Sequence, residues 1–220
     1  MKHNLPEKGA VLQRDMETFA VKAHMPGGFT SPADLRRVAD VAERYNVQKV
    51  KITGAQRIAL IGIPEDRLDE INNDLGELAG GATGLCIRYV KICPGATWCK
   101  RGWRVSTDIG LKMDERYHGM PIPWKFKMGV SGCLHDCSEV CIKDLGLIGT
   151  PRGWNVMVGG KGGSQPRFAL LLLEDVPTDD EALEAVEKVV SWVHAKERKC
   201  RVSKFIEEMG LEAFRKEVLG

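Results

Sequence analysis

Four of this chain's seven cysteines fall in two uneven pairs, Cys93-x5-Cys99 and Cys133-x3-Cys137. A fold that uses all four must bring two separate loops to one place. Four thiolates delivered by two loops can hold an iron–sulfur cluster or a tetrahedral zinc. Zinc knuckles gather their ligands as Cys-x2-Cys on tight turns, and neither pair has that spacing. The irregular gaps favour a cluster, with zinc as the alternative and uninvolved core cysteines as a third reading.

At 220 residues the chain can bury a proper core, in one domain or two. No apolar run reaches the roughly 18 residues that cross a bilayer. The opening Met1-Lys-His-Asn-Leu-Pro lacks the apolar stretch of a secretion signal. A cytoplasmic protein without membrane association is expected. In a reducing compartment the cysteines serve metal binding or catalysis rather than disulfides. The formal net charge of +2 gives no reason to expect nucleic-acid binding. Basic residues nevertheless crowd the cysteines: Lys91, Lys100, Arg101 and Arg104 around the first pair, Lys125 and Lys127 before the second. They balance an anionic cluster and are numerous enough to suggest a further anionic ligand.

Alternation over 10–24 predicts a hairpin turning near Asp15. Ser31-Pro-Ala-Asp34 marks a helix start, with a capping Ser, Pro at the first position and an acid at the third. That helix runs to about residue 45, with Leu35, Val38, Ala39 and Ala42 on one face. Strands over 49–53 and 57–63 follow, then a helix from Pro64 with Leu68, Ile71 and Leu75 inward. The glycine-rich stretch 79–84 is the best internal boundary, so domains are expected at 1–80 and 81–220. Beyond it come a strand over 86–92, a helix over 106–118 and a strand over 125–130. A helix over 136–143 would put Cys137 in its first turn, where helix amides favour a thiolate. A hairpin of 145–148 with 154–158, a buried strand over 168–173 and helices over 179–197 and 203–218 complete the chain.

By pattern alone, Arg57 is a solvent-facing strand residue, and Lys125 and Lys127 alternate on a strand that could face water. Cys86, Cys141 and Cys200 read as structural. Trp98 and Trp103 read as packing that keeps water from the cluster. Gly159-Gly160-Lys161-Gly162-Gly163 is not a dinucleotide fingerprint, because no helix follows directly.

The residues framing the cysteines say more. Cys93-Pro-Gly-Ala-Thr-Trp-Cys99-Lys-Arg-Gly, and Lys125-Phe-Lys-Met-Gly-Val-Ser-Gly-Cys133 with Cys137, closely resemble the cluster-binding signature of the siroheme-dependent nitrite and sulfite reductases. Lys51-Ile-Thr-Gly-Ala-Gln-Arg57 resembles that family's siroheme-contacting segment. Met25-Pro-Gly-Gly28 resembles its Leu-Pro-Gly-Gly turn, and Gly153-Trp-Asn-Val-Met-Val-Gly159-Gly160 the strand and diglycine that close its cofactor pocket. The matches keep the family's order over about residues 10–165, and the overall likeness is to the compact assimilatory-type sulfite reductases of anaerobes.

The resemblance implies an α+β fold, with a ferredoxin-like N-terminal unit packed on an α/β domain that binds siroheme and a 4Fe–4S cluster. It implies that Cys93, Cys99, Cys133 and Cys137 ligate the cluster, Cys137 also bridging to the siroheme iron. Arg57, Arg88, Lys125 and Lys127 would bind siroheme carboxylates and line the face where an oxyanion is held and protonated, with Gly159 and Gly160 closing the pocket. The implied reaction is six-electron reduction of sulfite to sulfide, or of nitrite to ammonia. No flavin or nicotinamide domain is visible, so electrons are expected from a separate ferredoxin-like donor. Family enzymes usually carry two related halves and this chain has one, so a homo-oligomer with a composite pocket is expected. The chain departs from the family at His24, where Arg is usual before the Pro-Gly-Gly turn, and at Leu134-His135. Two other classes remain open: a non-catalytic siroheme and cluster protein that carries electrons or joins a larger reductase, and a metal-stapled binding module.

Overall fold

The structure, a computed structural model, describes residues 2–220. The chain divides into two units, Met1–Gly84 and Leu85–Gly220. In the first, β1 (Ala10–Leu12) and β2 (Thr18–Ala23) form a hairpin whose turn is held by Asp15, which accepts the Glu17 and Thr18 amides at 3.0 Å. Ser31 and Asp34 cap α1 (Pro32–Arg44) reciprocally: each side chain accepts the other's backbone amide, at 3.1 Å. Such a cap contributes about 1 kcal/mol. The buried stripe of α1 is Val38 and Val41, whereas Leu35 is 46 % exposed. A helical side chain leans towards its N-terminus, so a first-turn residue reaches past the packed face.

Strands β3 (Lys49–Ile52) and β4 (Ile58–Pro64) complete an antiparallel sheet in the order β1-β2-β4-β3. Helix α2 (Leu68–Leu75) packs with α1, and Leu68, Ile71 and Leu75 join Phe19, Val21, Leu60 and Ile63 in one core. Each of these buried side chains contributes about 1.5–3 kcal/mol relative to exposure.

The second unit is built on a five-stranded sheet in the order β5-β6-β7-β8-β9. Its strands are β5 (Ile87–Ile92), β6 (Phe126–Ser131), β7 (Leu145–Gly149), β8 (Trp154–Val158) and β9 (Leu170–Val176). The first three run parallel and the last two antiparallel. Between β5 and β6 the chain passes through a short helix, α3 (Gly95–Trp98), and then α4 (Ser106–Tyr117), which packs back on both strands. This is the crossover that a parallel pair requires. Helix α5 (Asp179–His194) begins at a Thr178–Glu181 capping box and buries Ala182, Val186, Val189 and Val193.

Three expected elements differ in the structure. No helix forms over 136–143, where only a single 3-10 turn, Val140–Ile142, is present. Asp136 and Glu139 take left-handed backbone conformations, and the Asp136 carboxylate accepts the Val140 and Cys141 amides that a helix would have used. The last strand begins at Leu170 and leaves Phe168 79 % exposed. Residues before it are claimed elsewhere: Lys161 and Arg167 exchange backbone hydrogen bonds, and the Ala169 amide donates to Cys141 O at 2.7 Å. The C-terminal helix is two helices, α6 (Val202–Met209) and α7 (Leu211–Leu219), parted at Gly210 with φ +84°. Among the described residues, no helix is long and apolar enough to cross a membrane.

Candidate metal centre

Both cysteine loops leave the sheet from the same end of neighbouring parallel strands. Ile92 of β5 stands beside Val130 of β6, and the Cys93 amide donates to Val130 O at 3.2 Å. Cys93 thus begins one loop beside the residues that lead to Cys133. In open sheets, the carboxyl ends of parallel strands are where ligands bind.

The two loops are bonded to each other. Trp103 and Arg104 both donate their amides to Gly132 O, at 2.9 and 3.1 Å. In return the Gly132 amide donates to Cys93 Sγ at 3.1 Å. Ser106 Oγ donates to Cys93 O at 2.9 Å and lies 3.3 Å from Cys93 Sγ. This closeness requires glycine: a Cβ on Gly132 would stand 2.7 Å from Arg104 O and 2.9 Å from Gly95 Cα. Cys99 closes the α3 turn, its amide donating to Gly95 O. Cys93 and Cys133 are buried, Cys99 is half-buried and Cys137 is exposed.

Helix amides do not hold Cys137, since the expected helix is absent. The preceding residue shapes its loop instead. Asp136 sits at φ +48° and its carboxylate accepts from Ser131 Oγ at 2.9 Å, Val140 N at 2.8 Å and Cys141 N at 2.9 Å. Ser138 adds bonds to Ser131 Oγ and Val130 O. Among the described residues, no three His, Cys, Asp or Glu side chains form a set that could hold a single metal ion. Four cysteines on two interlocked loops, with an amide already donated to one sulfur, match the donor chemistry of an iron–sulfur cluster.

Arg88 and Lys127 stand on the adjacent strands β5 and β6, each one residue past the paired Ile87 and Phe126. Both are half-buried, whereas Lys125, just before β6, is exposed. Burial lowers the Lys127 ammonium below its usual value, and the charges of Arg201, Lys143 and Arg88 lower it further against the pull of Asp144. Burial likewise lowers Arg88. Gly159 and Gly160 follow β8 and are buried. Gly159 has φ +82°, and its amide donates to Asp144 O at 2.8 Å. A Cβ on Gly160 would meet Lys143 N at 2.8 Å and Cys141 O at 2.9 Å.

Arg57 belongs to the first unit. It is 4 % exposed rather than solvent-facing, and its Nη1 donates to Ala82 O at 3.1 Å. It precedes β4, so the strand alternation does not govern it. Nearby, Gly28 at φ +78° packs so closely on Gln56 that a Cβ there would lie 2.8 Å from Gln56 Cβ, which puts the Pro-Gly-Gly turn against the Arg57 segment. Trp98 and Trp103 are 67 % and 47 % exposed, so this chain alone does not bury them.

Sequence reasoning missed Asp136, Asp144, Arg201 and the Glu139 carboxylate that bridges Lys91 at 2.9 Å and Lys143 at 3.0 Å. Asp136, two residues before a serine in a Gly- and Cys-rich loop, carried a turn signal. Asp144 and Arg201 lie 57 positions apart and carried none.

Residues 83–220 match a family described as the nitrite and sulphite reductase 4Fe-4S domain, and residues 11–78 match the nitrite/sulfite reductase ferredoxin-like half domain. An assimilatory-type sulfite reductase of Nitratidesulfovibrio vulgaris is 40 % identical over 97 % of this chain and 98 % of its own length. The nitrite reductase [NAD(P)H] of Bacillus subtilis is 38 % identical over 92 % of this chain, which spans 25 % of that protein. Among solved structures, the NirA protein of Mycobacterium tuberculosis superposes with TM-score 0.79 at 24 % identity, over 92 % of this chain and 40 % of NirA. Dissimilatory sulfite reductase I superposes with TM-score 0.81 at 16 % identity, over 91 % of this chain and 68 % of its own. These two likenesses establish the α+β fold, and the matches in sequence establish that the chain belongs to the nitrite and sulphite reductase 4Fe-4S family.

Proposed function

We propose that this protein is a sulfite reductase using siroheme and a 4Fe–4S cluster, with nitrite as the runner-up substrate. The observation that carries the reading is the placement of Cys93 and Cys133 at the ends of two parallel strands whose bodies carry Arg88 and Lys127. Likeness to an assimilatory-type sulfite reductase over nearly the whole of both chains supports sulfite over nitrite.

In this reading Cys93, Cys99, Cys133 and Cys137 would hold the cluster, with Cys137, exposed in the chain, the one that would couple it to siroheme. When bound, the cofactor pair would supply the six electrons one at a time. The net change takes sulfite, seven protons and six electrons to hydrosulfide and three waters. The chain's own task is to hold an anion and to protonate departing oxygens. Arg57, Arg88, Lys125 and Lys127 serve the first need and neutralise siroheme carboxylates, with Arg suited to two-pronged contact. Lys127, made more acidic by burial, serves the second. Gly159 and Gly160 let the backbone approach the macrocycle.

Electrons come from a separate ferredoxin-like carrier in the cytoplasm, and a second copy of the chain completes the pocket as a homo-oligomer. The match of residues 11–78 to a half domain supports that last point. The test is the visible spectrum of protein made anaerobically with siroheme supplied, then titrated with sulfite and nitrite under reduction. Tetrapyrrole bands that shift with sulfite, together with sulfide formation, are expected. Normal bands with no turnover would mean an electron carrier or reductase subunit, and an absence of bands would overturn the reading.

A further inference from the structure

Asp144, immediately before β7, is buried and joins four parts of the second unit. Its amide donates to Lys127 O at 3.0 Å, and its Oδ2 accepts the Lys127 amide at 2.9 Å. Its carbonyl accepts the Gly159 amide at 2.8 Å. Arg201, in the turn before α6, then grips the same carboxylate with two prongs, Nε to Oδ1 at 2.9 Å and Nη2 to Oδ2. The carboxylate is 1 % exposed and the guanidinium 21 %. A buried carboxylate of this kind needs its partner, because a lone buried charge is costly.

We propose that Asp144 and Arg201 are positioning residues for the anion site: together they fix the backbone of Lys127 and Gly159 and make the C-terminal helical arm part of that site. The proposal rests on the reading that Lys127 faces the anion. Two independent observations favour positioning over simple anchoring of the arm. The carboxylate oxygen gripped by Arg201 Nη2 is the one that holds Lys127. The Arg201 charge also acts on the Lys127 ammonium, alongside Lys143 and Arg88 and against Asp144. Arg201 reaches the Lys127 backbone through Asp144.

The test uses the full chain, with and without cofactors, as Arg201→Gln and Arg201→Lys. The control is Arg198→Gln, which removes the exposed ion pair with Glu208 on the same arm but nothing on Asp144. Two readouts are taken: Lys127 Nζ titration by NMR in the cofactor-free chain, and sulfite affinity from the spectral titration of the holoenzyme. In Arg201→Gln the Lys127 ammonium is expected to titrate higher than in the parent, because a neighbouring positive charge is gone. Sulfite binding should weaken roughly tenfold, because the two-pronged support is gone. Arg201→Lys keeps the charge but not the fork, so it should retain the low Lys127 titration and lose part of the affinity. Arg198→Gln should stay within about twofold of the parent in both readouts.

A Lys127 titration and sulfite affinity unchanged in Arg201→Gln, with only a lower melting temperature, would overturn the proposal. Should Arg201→Gln fail to fold, parent-like affinity in Arg201→Lys would overturn it too. Lys127→Ala separates the two levels. If it abolishes reduction while Arg201→Gln is silent, only the positioning role falls. If Lys127→Ala keeps full activity, the assignment of Lys127 to the anion falls first.

Discussion

Asp136 accepts the amide of Val140 at 2.8 Å through its own side chain. That bond replaces a helical turn with an open loop and leaves Cys137 exposed at its tip. The carboxylate also takes the Cys141 amide, so its loss leaves two backbone donors without their acceptor.

Asp136→Ala is therefore expected to cost about 1–3 kcal/mol, the usual penalty for orphaned donors. Iron content per chain should fall with it. Asp136→Asn keeps one carbonyl acceptor and should retain more iron than Asp136→Ala. Equal iron in all three proteins would show that the loop does not depend on this side chain.

Gly132→Ala tests the contact between the two cysteine loops. The new methyl would press on Arg104 O and Gly95 Cα, which are backbone atoms and yield little. Overpacking of this kind costs about 1–3 kcal/mol. Denaturant unfolding should register it, along with slower or incomplete cluster reconstitution. Wild-type reconstitution would mean that the loops can part without harm.

Cys137→Ser separates cluster ligation from cofactor coupling. In the proposed function the variant keeps tetrapyrrole absorption but loses magnetic coupling between haem and cluster, read by low-temperature EPR or Mössbauer spectroscopy. Persistent coupling would move the bridge to another cysteine. Cys86→Ser, at a buried cysteine outside both loops, should leave the coupling unchanged.

The acid limb of stability has an identifiable contributor in the first unit. Asp74 accepts from Tyr45 Oη at 2.9 Å and pairs with Arg44, tying α2 to α1. The Tyr45 bond and then the Arg44 bond hold its carboxyl below the ordinary 3.8. The folded carboxyl being the more acidic, this stabilisation is complete above the unfolded value and is lost as pH falls through the folded one. Asp74→Asn should thus unfold at lower denaturant than the parent near neutrality, and the gap should narrow as acidification takes the pH below the ordinary carboxylate range and through the lowered folded value. A gap that persists at acid pH would point to lost hydrogen-bond geometry rather than charge.

The cysteine frames and the Ser31–Asp34 capping box were legible because they are local, whereas the inner face of α1 was only half legible: Val38 is buried, but Leu35 and Ala39 are exposed. Ser31 and Asp34 cap one another three residues apart, and the amphipathic face of α5 follows directly from its spacing. What escaped was long-range or side chain to backbone. The Asp136 bonds made a loop where a helix over 136–143 was expected. Arg57 looked like a solvent-facing strand residue and is buried, because it precedes the strand and turns to Ala82 O. The Asp144–Arg201 pair joins residues with no shared motif, and only the folded sheet reveals it.

The parallel pairing of β5 with β6 bears on what a cluster would do for the fold. A parallel neighbour cannot be reached by a tight turn, so the Cys93 and Cys133 loops meet only after the whole α3–α4 crossover has closed. An iron cluster held between the two loops would therefore act as a clasp on that crossover, resisting its reopening in the folded protein.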